Sequence, residues 1–226
     1  MPPDERQTFA ERRFHEAWSP SHFDLTRAKR MRQLLRGEGN DSLLDLGCYN
    51  GQLIAQVAPA GLRRVGLDVS HTALRQARDR GTFAVRGQVE GTLPFRDAAF
   101  GVVVAAEVIE HVFDTEALLR QIARVLQPGG RLLLTTPNLV ALSGRVKLAL
   151  GRSPANVEFD ASPGTSGHIR YFTFDTLEML LRRAGLTPLG RWTNVAHFSV
   201  LGSSELVGRI RPGLGHTLIS LARRAA

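Results

Sequence analysis

The chain has 226 residues, 43% of them apolar, and a formal net charge of +8 at pH 7. That length suits one large domain. It has no apolar run long enough for a transmembrane helix, and its N-terminus, MPPDERQTFAERRF, lacks an apolar signal region. The lone cysteine, Cys48, excludes an internal disulfide and any multi-cysteine metal or cluster site, so no metal is expected and a cytoplasmic location is. The positive charge is nearly all arginine, with lysine only at Lys29 and Lys147. The arginines are spread along the chain and are not interleaved with aromatics, so nucleic acid is not the expected partner.

Taken in order, residues 1–22 carry Phe9, Phe14 and Trp18 among charges. Phe14 and Trp18 are four apart and share a face if that segment is helical. A helix follows over Phe23 to Leu35, with Leu25, Ala28, Met31, Leu34 and Leu35 on one stripe, and Gly37-Glu38-Gly39-Asn40 ends it. The stretch LLDLGCYNGQL from Leu43 to Leu53 then reads as a buried strand, a tight turn on Gly47, and a helix restarting near Gly51. The first amide groups of that helix are expected to face a ligand. The second strand, Arg63 to Asp68, ends in a carboxylate about twenty residues after the turn, where an acid accepts from ribose hydroxyls. Ser70 caps the next helix, through Leu74 and Ala77, and Gly81 stops it.

Phe83 to Arg86 is a short third strand. Gly101 to Ala106, nearly all apolar, is a central fourth. Asp114 caps a helix over Thr115 to Leu126, and Arg131 to Thr136 is a fifth strand. Pro137 breaks the alternation. Residues 138–152 suit an amphipathic helix with Leu142, Val146 and Leu150 apolar, and Ser153 to Gly167 a mobile loop. Phe174 to Ala184 is helical. Leu186 to Phe198 and His216 to Leu221 suit strands, joined by a short helix near Leu206. Strands and helices alternating with short links mean a doubly wound α/β sheet with helices on both faces.

The turn also discriminates between nucleotides. In Gly47-Cys48-Tyr49-Asn50-Gly51, Tyr49 stands where a dinucleotide fingerprint has the glycine that admits a pyrophosphate. Asp45, two residues before Gly47, would repel phosphate and favour a cation. These residues suit adenosine with a positively charged arm. Asp-Leu-Gly-Cys-x-x-Gly followed by Gly-Leu-Asp-Val-Ser resembles motif I and the acidic second-strand motif of class I S-adenosylmethionine-dependent methyltransferases. The likeness covers nearly the whole chain from Asp24 onward. Gly167 to Thr173, Leu177-Leu180-Leu181 and Ala184-Gly185-Leu186 look like the C-terminal part of its ubiquinone-biosynthesis-like and glycan-associated branches. The resemblance implies a mostly parallel seven-stranded Rossmann-like sheet whose last strand is antiparallel. It also implies N-terminal cap helices over residues 1–40, a methyltransferase domain over 41–226, and an acceptor-side insertion at about 137–170.

The same resemblance implies S-adenosylmethionine as cofactor and S-adenosylhomocysteine as product. Asp45, Gly47, Cys48 and Gly51 are taken as methionyl and turn contacts, Asp68 as the ribose ligand, and Val69 as packing on adenine. Gln88, beside Val89, stands where the family usually has the Asp that takes the adenine amino group, with Glu90 as an alternative acceptor. Ala106 and Glu107 are expected to offer backbone contacts to the methionyl arm. In-line methyl transfer needs alignment and a dry pocket, with a base only if the acceptor must lose a proton. His111 is the candidate base, and the alternative is a histidine satisfied within the sheet edge. His168, Tyr171 and Trp18 are candidates for the acceptor pocket, and His168 and Tyr171 could instead cap the next helix. A small-molecule acceptor methylated on oxygen is expected, with peripheral membrane contact disfavoured. Other readings are a non-catalytic relative that binds the cofactor, and a nicotinamide oxidoreductase, which Tyr49 and the lack of a Tyr-x-x-x-Lys pair oppose. A nucleic-acid methyltransferase is opposed by the lack of an Asn-Pro-Pro-aromatic motif.

Overall fold

The computed structural model describes residues 22–36, 41–154, 157, 167–198 and 202–225. Phe9, Phe14, Trp18, the helix end at Gly37 to Asn40 and most of the loop from Ser153 to Gly167 lie outside the described residues.

Hydrophobic patterning builds the sheet. Helix α1 (His22–Leu35) leads into β1 (Ser42–Leu46), α2 (Gln52–Val57), β2 (Arg63–Asp68), α3 (His71–Asp79) and β3 (Phe83–Arg86). Strand β4 (Phe100–Ala106), a 3-10 turn (Ile109–His111), α4 (Thr115–Val125), β5 (Leu126–Pro137) and α5 (Leu142–Ala149) follow. The chain ends with α6 (Phe174–Arg183), β6 (Leu186–Trp192), β7 (Ala196–Phe198), β8 (Gly202–Ser204), α7 (Glu205–Ile210) and β9 (Thr217–Arg224). Seven strands form one sheet in the order β3-β2-β1-β4-β5-β9-β6. The first five are parallel, and β9 runs antiparallel to both β5 and β6. This is the expected doubly wound sheet.

Successive strand residues face opposite sides, so the two layers of core divide by parity. Leu44, Leu46, Val103, Ala105, Leu132 and Leu134 pack with α4 and α6 on one face. Leu43, Val102, Val104 and Leu133 pack on the other with Met31 and Leu35 of α1 and Ile54 and Val57 of α2. Asp45 alternates with Leu44 and Leu46 and so falls on the α1/α2 face. The strand order reverses between β1 and β4, and the loops above that point open the crevice where such sheets bind ligands.

Several boundaries differ from expectation. Leu25 is 58% exposed, so the α1 stripe buries only its later members. The span from Leu186 to Phe198 is two strands, because Thr193 and Asn194 break it: Thr193 Oγ1 donates to Thr217 O (2.6 Å), and Thr217 N donates to Asn194 Oδ1 (3.1 Å). Strand β7 leaves the main sheet and pairs only with β8. The helix expected over 138–152 is confined to α5. Its first residues are held instead by Asn138, whose Nδ2 donates to Gly213 O and Gly215 O while its Oδ1 accepts from Val140 N. Val146 and Leu150 of that expected stripe are exposed. No described helix is long and apolar enough to cross a membrane.

Candidate active site

The crevice begins at the end of β1. Gly47 and Cys48 both donate their amides to Leu67 O, at 2.8 and 3.1 Å, and Tyr49 N donates to Asp68 Oδ2 at 2.8 Å. Three consecutive amides thereby clamp the turn onto the tip of β2. Gly47 has φ +66, and a Cβ there would come within 2.8 Å of Val108 Cγ2, so the turn needs a residue without a side chain. Tyr49 adopts φ 47, a left-handed conformation that an L-residue holds only when its surroundings force it. Asn50 Oδ1 accepts from Gln52 N (3.1 Å), and Gly51 N donates to Cys48 O (2.9 Å). The amides of Gly51 and Gln52, expected to face a ligand, are therefore satisfied within the turn.

Asp68 is the fixed acid of the site. Its Oδ2 accepts from Tyr49 N and its Oδ1 from Ser70 N (2.9 Å). A carboxylate has about four acceptor positions, more than these amides fill. Burial raises its pKa, and the backbone amides of Ser70, Tyr49 and Val69 oppose that rise. The cap of α3 belongs to Ser70, whose side chain accepts from Ala73 N, so Asp68 is not the N-cap.

Asp45 is 3% exposed, and burial, then the Asp68 charge, push its pKa from 3.8 to about 8. Cys48 points into the protein. It packs with Leu74 and Ala84 and lies so close to Gly66 that a Cβ there would sit 2.5 Å from Sγ. Burial and then the charges of Asp45 and Asp68 raise its thiol far above the usual range, so Cys48 is a packing residue with an inert side chain. Val69 O accepts from Arg86 Nε (3.2 Å), Gln88 is exposed, and Val89 packs against the main core. Glu90, the alternative adenine acceptor, receives Phe113 N at 2.7 Å and so anchors a different loop.

Across the crevice, β4 ends at Ala106 and Glu107 follows it. Glu107 has φ 56, and its amide donates to Thr135 O (2.9 Å), so that N–H is not available to a methionyl arm. Its carboxylate accepts from Thr135 Oγ1 (2.8 Å) and pairs with Arg27 of α1 at 3.0 Å. Arg27 is 8% exposed and was not legible as a site residue, because only the docking of α1 onto the sheet brings it there.

The 3-10 turn after β4 presents Glu110 and His111. Glu110 is 1% exposed, and its Oε2 accepts from Thr136 Oγ1 (3.0 Å). Burial and the Glu107 charge raise its pKa well above the carboxylate norm. Its backbone carbonyl accepts from Ile169 N and Arg170 N, which stitches the distant segment 167–171 to this turn. His111 Nδ1 lies 3.1 Å from Gly167 O, and the His111 and His168 rings are 5.1 Å apart between centroids. Tyr171 Oη donates to His168 O (3.2 Å). Helix α6 is capped by Thr173 and Thr176, so neither His168 nor Tyr171 is a cap. The structure thus brings His111, His168 and Tyr171 together. Trp18 lies outside the described residues.

Residues 10–189 match the family model described as a methyltransferase domain. The chain is 32% identical over 201 residues to 27-O-demethylrifamycin SV methyltransferase of Amycolatopsis mediterranei, a match covering 80% of this chain and 69% of that protein. It is 30% identical over 158 residues to the mitochondrial ubiquinone biosynthesis O-methyltransferase of Homo sapiens, covering 64% of this chain and 41% of that one. An S-adenosylmethionine-dependent methyltransferase from Mesorhizobium loti shares the fold with a TM-score of 0.61 at 20% identity, over 88% of this chain and 98% of that one. A glycine turn clamped to an acid at the tip of the next strand, on this sheet order and with these relatives, places the chain in the class I S-adenosylmethionine-dependent methyltransferase superfamily.

Proposed function

We propose that the chain methylates a hydroxyl oxygen of a small-molecule acceptor, with S-adenosylmethionine as donor. Asp68 carries this reading: backbone amides fix both of its oxygens and leave acceptor capacity for the ribose. The turn around Gly47 lacks room for a side chain, and the buried Asp45 carboxyl suits a cationic arm. The residues present therefore fit the donor. Asp68 holds the ribose, Asp45 faces the amino acid end, and Val69 with Gln88 borders the adenine. Gly47, Gly51, Val89, Ala106 and Glu107 form the walls, with Cys48 contributing backbone only. The donor supplies a methyl carbon on a positively charged sulfur, which leaves as a neutral thioether.

The acceptor side is the group formed by His111, His168 and Tyr171. A carbonyl can only accept, so the contact with Gly167 O makes His111 Nδ1 the N–H, and in the neutral ring Nε2 carries the lone pair. That lone pair is what the chain offers at the acceptor oxygen as it gains the methyl group and loses its proton. Residues 1–40, with Trp18, are proposed as the cap of the crevice and 137–170 as its acceptor-side wall, on the domain of 41–226. The oxygen acceptors in the names of two relatives support the choice of oxygen.

Calorimetric titration with S-adenosylmethionine, S-adenosylhomocysteine and NAD tests the assignment. Both adenosyl ligands should bind wild type, and Asp68→Ala should bind neither while still melting cooperatively. NAD binding without response to either adenosyl ligand would overturn it.

A further inference from the structure

Helices α1 and α2 do not close on each other along their length. Between them and the loop into β2 runs a groove of about 890 Å³. Small residues leave it open: Ala28 lines it from α1, and Ala55, Ala58 and Pro59 from the end of α2 and the turn beyond. Because these come from the second half of α2, the groove lies toward the edge of the sheet opposite the crevice. Its α1 wall carries Leu25, Lys29, Arg32 and, just past the last helical residue, Arg36. Steps of four, three and four residues set these side chains in one row about 16 Å long. Lys29, Arg32 and Arg36 are all exposed. Lys29 Nζ is 3.9 Å from Glu205 Oε2, a marginal ion pair. Arg64 stands on the other wall, with its guanidinium donating to Arg80 O at 2.7 Å. Among the described residues that line the groove there is no acid and no aromatic ring. Like charges three and four apart on a helix repel, and a concave wall concentrates their field.

We propose that this groove docks an acidic amphipathic helix of a partner protein. Acids at three- and four-residue steps on such a helix have the same pitch as the row from Lys29 to Arg36. The alanines let its backbone come close, and Leu25 and Leu62 give its apolar edge something to cover. A nucleic-acid strand would find no ring here on which to stack a base. A bilayer is flat and cannot enter a concave groove. A second copy of this chain brings no suitable helix: the described helices hold at most two acids each, and the pair on α6, Asp175 and Glu178, is bonded to Arg191. The groove also communicates with the crevice, since the opposite face of α1 carries Arg27, 3.0 Å from Glu107. A docked partner therefore grips the helix that supplies Arg27. The docking itself does not rest on the methyltransferase reading, because no group of the crevice takes part in it.

The probe is a fluorescein-labelled, stapled peptide of Glu, Ala and Leu, about five helical turns long, with its glutamates in one stripe. A control of the same composition spreads the glutamates around the helix. Fluorescence anisotropy with the full chain, at low ionic strength where exposed charges are little screened, gives the affinities. Wild type should bind the striped peptide about tenfold or more tightly than the control. Arg32→Glu with Arg36→Glu should lose about tenfold or more and should instead prefer a lysine-striped peptide. Ala55→Trp fills the groove from an exposed position without changing its charge, and it should lose about as much. Both variants should melt like wild type and bind S-adenosylhomocysteine equally well, so the two check each other for folding. Equal affinity for striped and control peptides, or an Ala55→Trp chain that binds like wild type, would overturn the docking. So would a single-stranded oligonucleotide or a phosphatidylglycerol vesicle that binds more tightly than the peptide with the same dependence on both variants. Peptide binding as expected with no adenosyl binding would remove the methyltransferase reading alone.

Discussion

Binding of S-adenosylmethionine should expel a proton from Asp45. Burial and the neighbouring Asp68 hold that carboxyl at a pKa of about 8, so at pH 7 about 0.9 of the molecules carry the proton there. A sulfonium and an ammonium brought close reverse the balance, since opposite charge favours the ionised form. If the bound pKa falls below about 6, close to 0.9 proton per ligand is released. The ligand's own amino group, with pKa about 8, is mostly protonated at pH 7 and contributes little. Calorimetry at pH 7 in buffers of differing ionisation enthalpy yields the proton count as a slope. Asp45→Asn removes the titrating group and keeps the shape, so subtracting its slope cancels the ligand's contribution. The expected difference is about 0.9 proton, and affinity of wild type should increase as pH rises from about 6 to about 8, by up to about one decade per pH unit. The same shift acts on folding. The folded pKa lies above the unfolded value of 3.8, so the folded protein holds the extra proton. That contribution is complete below pH 3.8 and is lost as pH rises through about 8, a penalty on the order of several kcal/mol that Asp45→Asn should abolish. Equal slopes for wild type and variant would refute the claim that Asp45 faces the ligand's charge.

Other perturbations probe neighbouring contacts. Gly66→Ala should destabilise by about 1–3 kcal/mol in urea melts, because its Cβ would press on Cys48 Sγ, and Cys48→Ala in the same chain should recover much of the loss. Arg27→Met keeps the packing but leaves Glu107 without its cation. The pair is only partly buried, so a loss of about 1–3 kcal/mol is expected from chemical denaturation, with weaker adenosyl binding beside it. His111→Asn should lower kcat by about 10²-fold or more at saturating donor while donor affinity stays within about twofold, which single-turnover and binding measurements separate.

The geometry of the turn at Gly47 and of the tip of β2 was legible because its signals are local. A strand, a glycine turn and a helix start follow from residues adjacent in the chain, and the acid at Asp68 follows from the length of one strand–helix–strand unit. Ser70, Asp114 and the alternation of strands and helices were readable for the same reason: caps and periodicity act over a few residues. Where the reading missed, a distant partner had the stronger claim. Glu90 accepts from Phe113 N and the Glu107 amide donates to Thr135 O, contacts with residues 23 and 28 positions away that leave neither group for the donor. Cys48, placed beside the ligand by its number, turns inward to fill the space left by Gly66. The long strand from Leu186 failed at Thr193 and Asn194, whose side chains are bonded to β9.

The amino-acid order alone thus determines the sheet class and the place of the acid Asp68 at the tip of β2, since each rests on short-range hydrogen bonding and apolar periodicity. The meeting of Glu110 and His111 with His168, the reach of Arg27 to Glu107, and the protonated state of Asp45 exist only once remote segments pack. Contact across a fold and removal from water are properties of the folded chain, and no spacing along it encodes them.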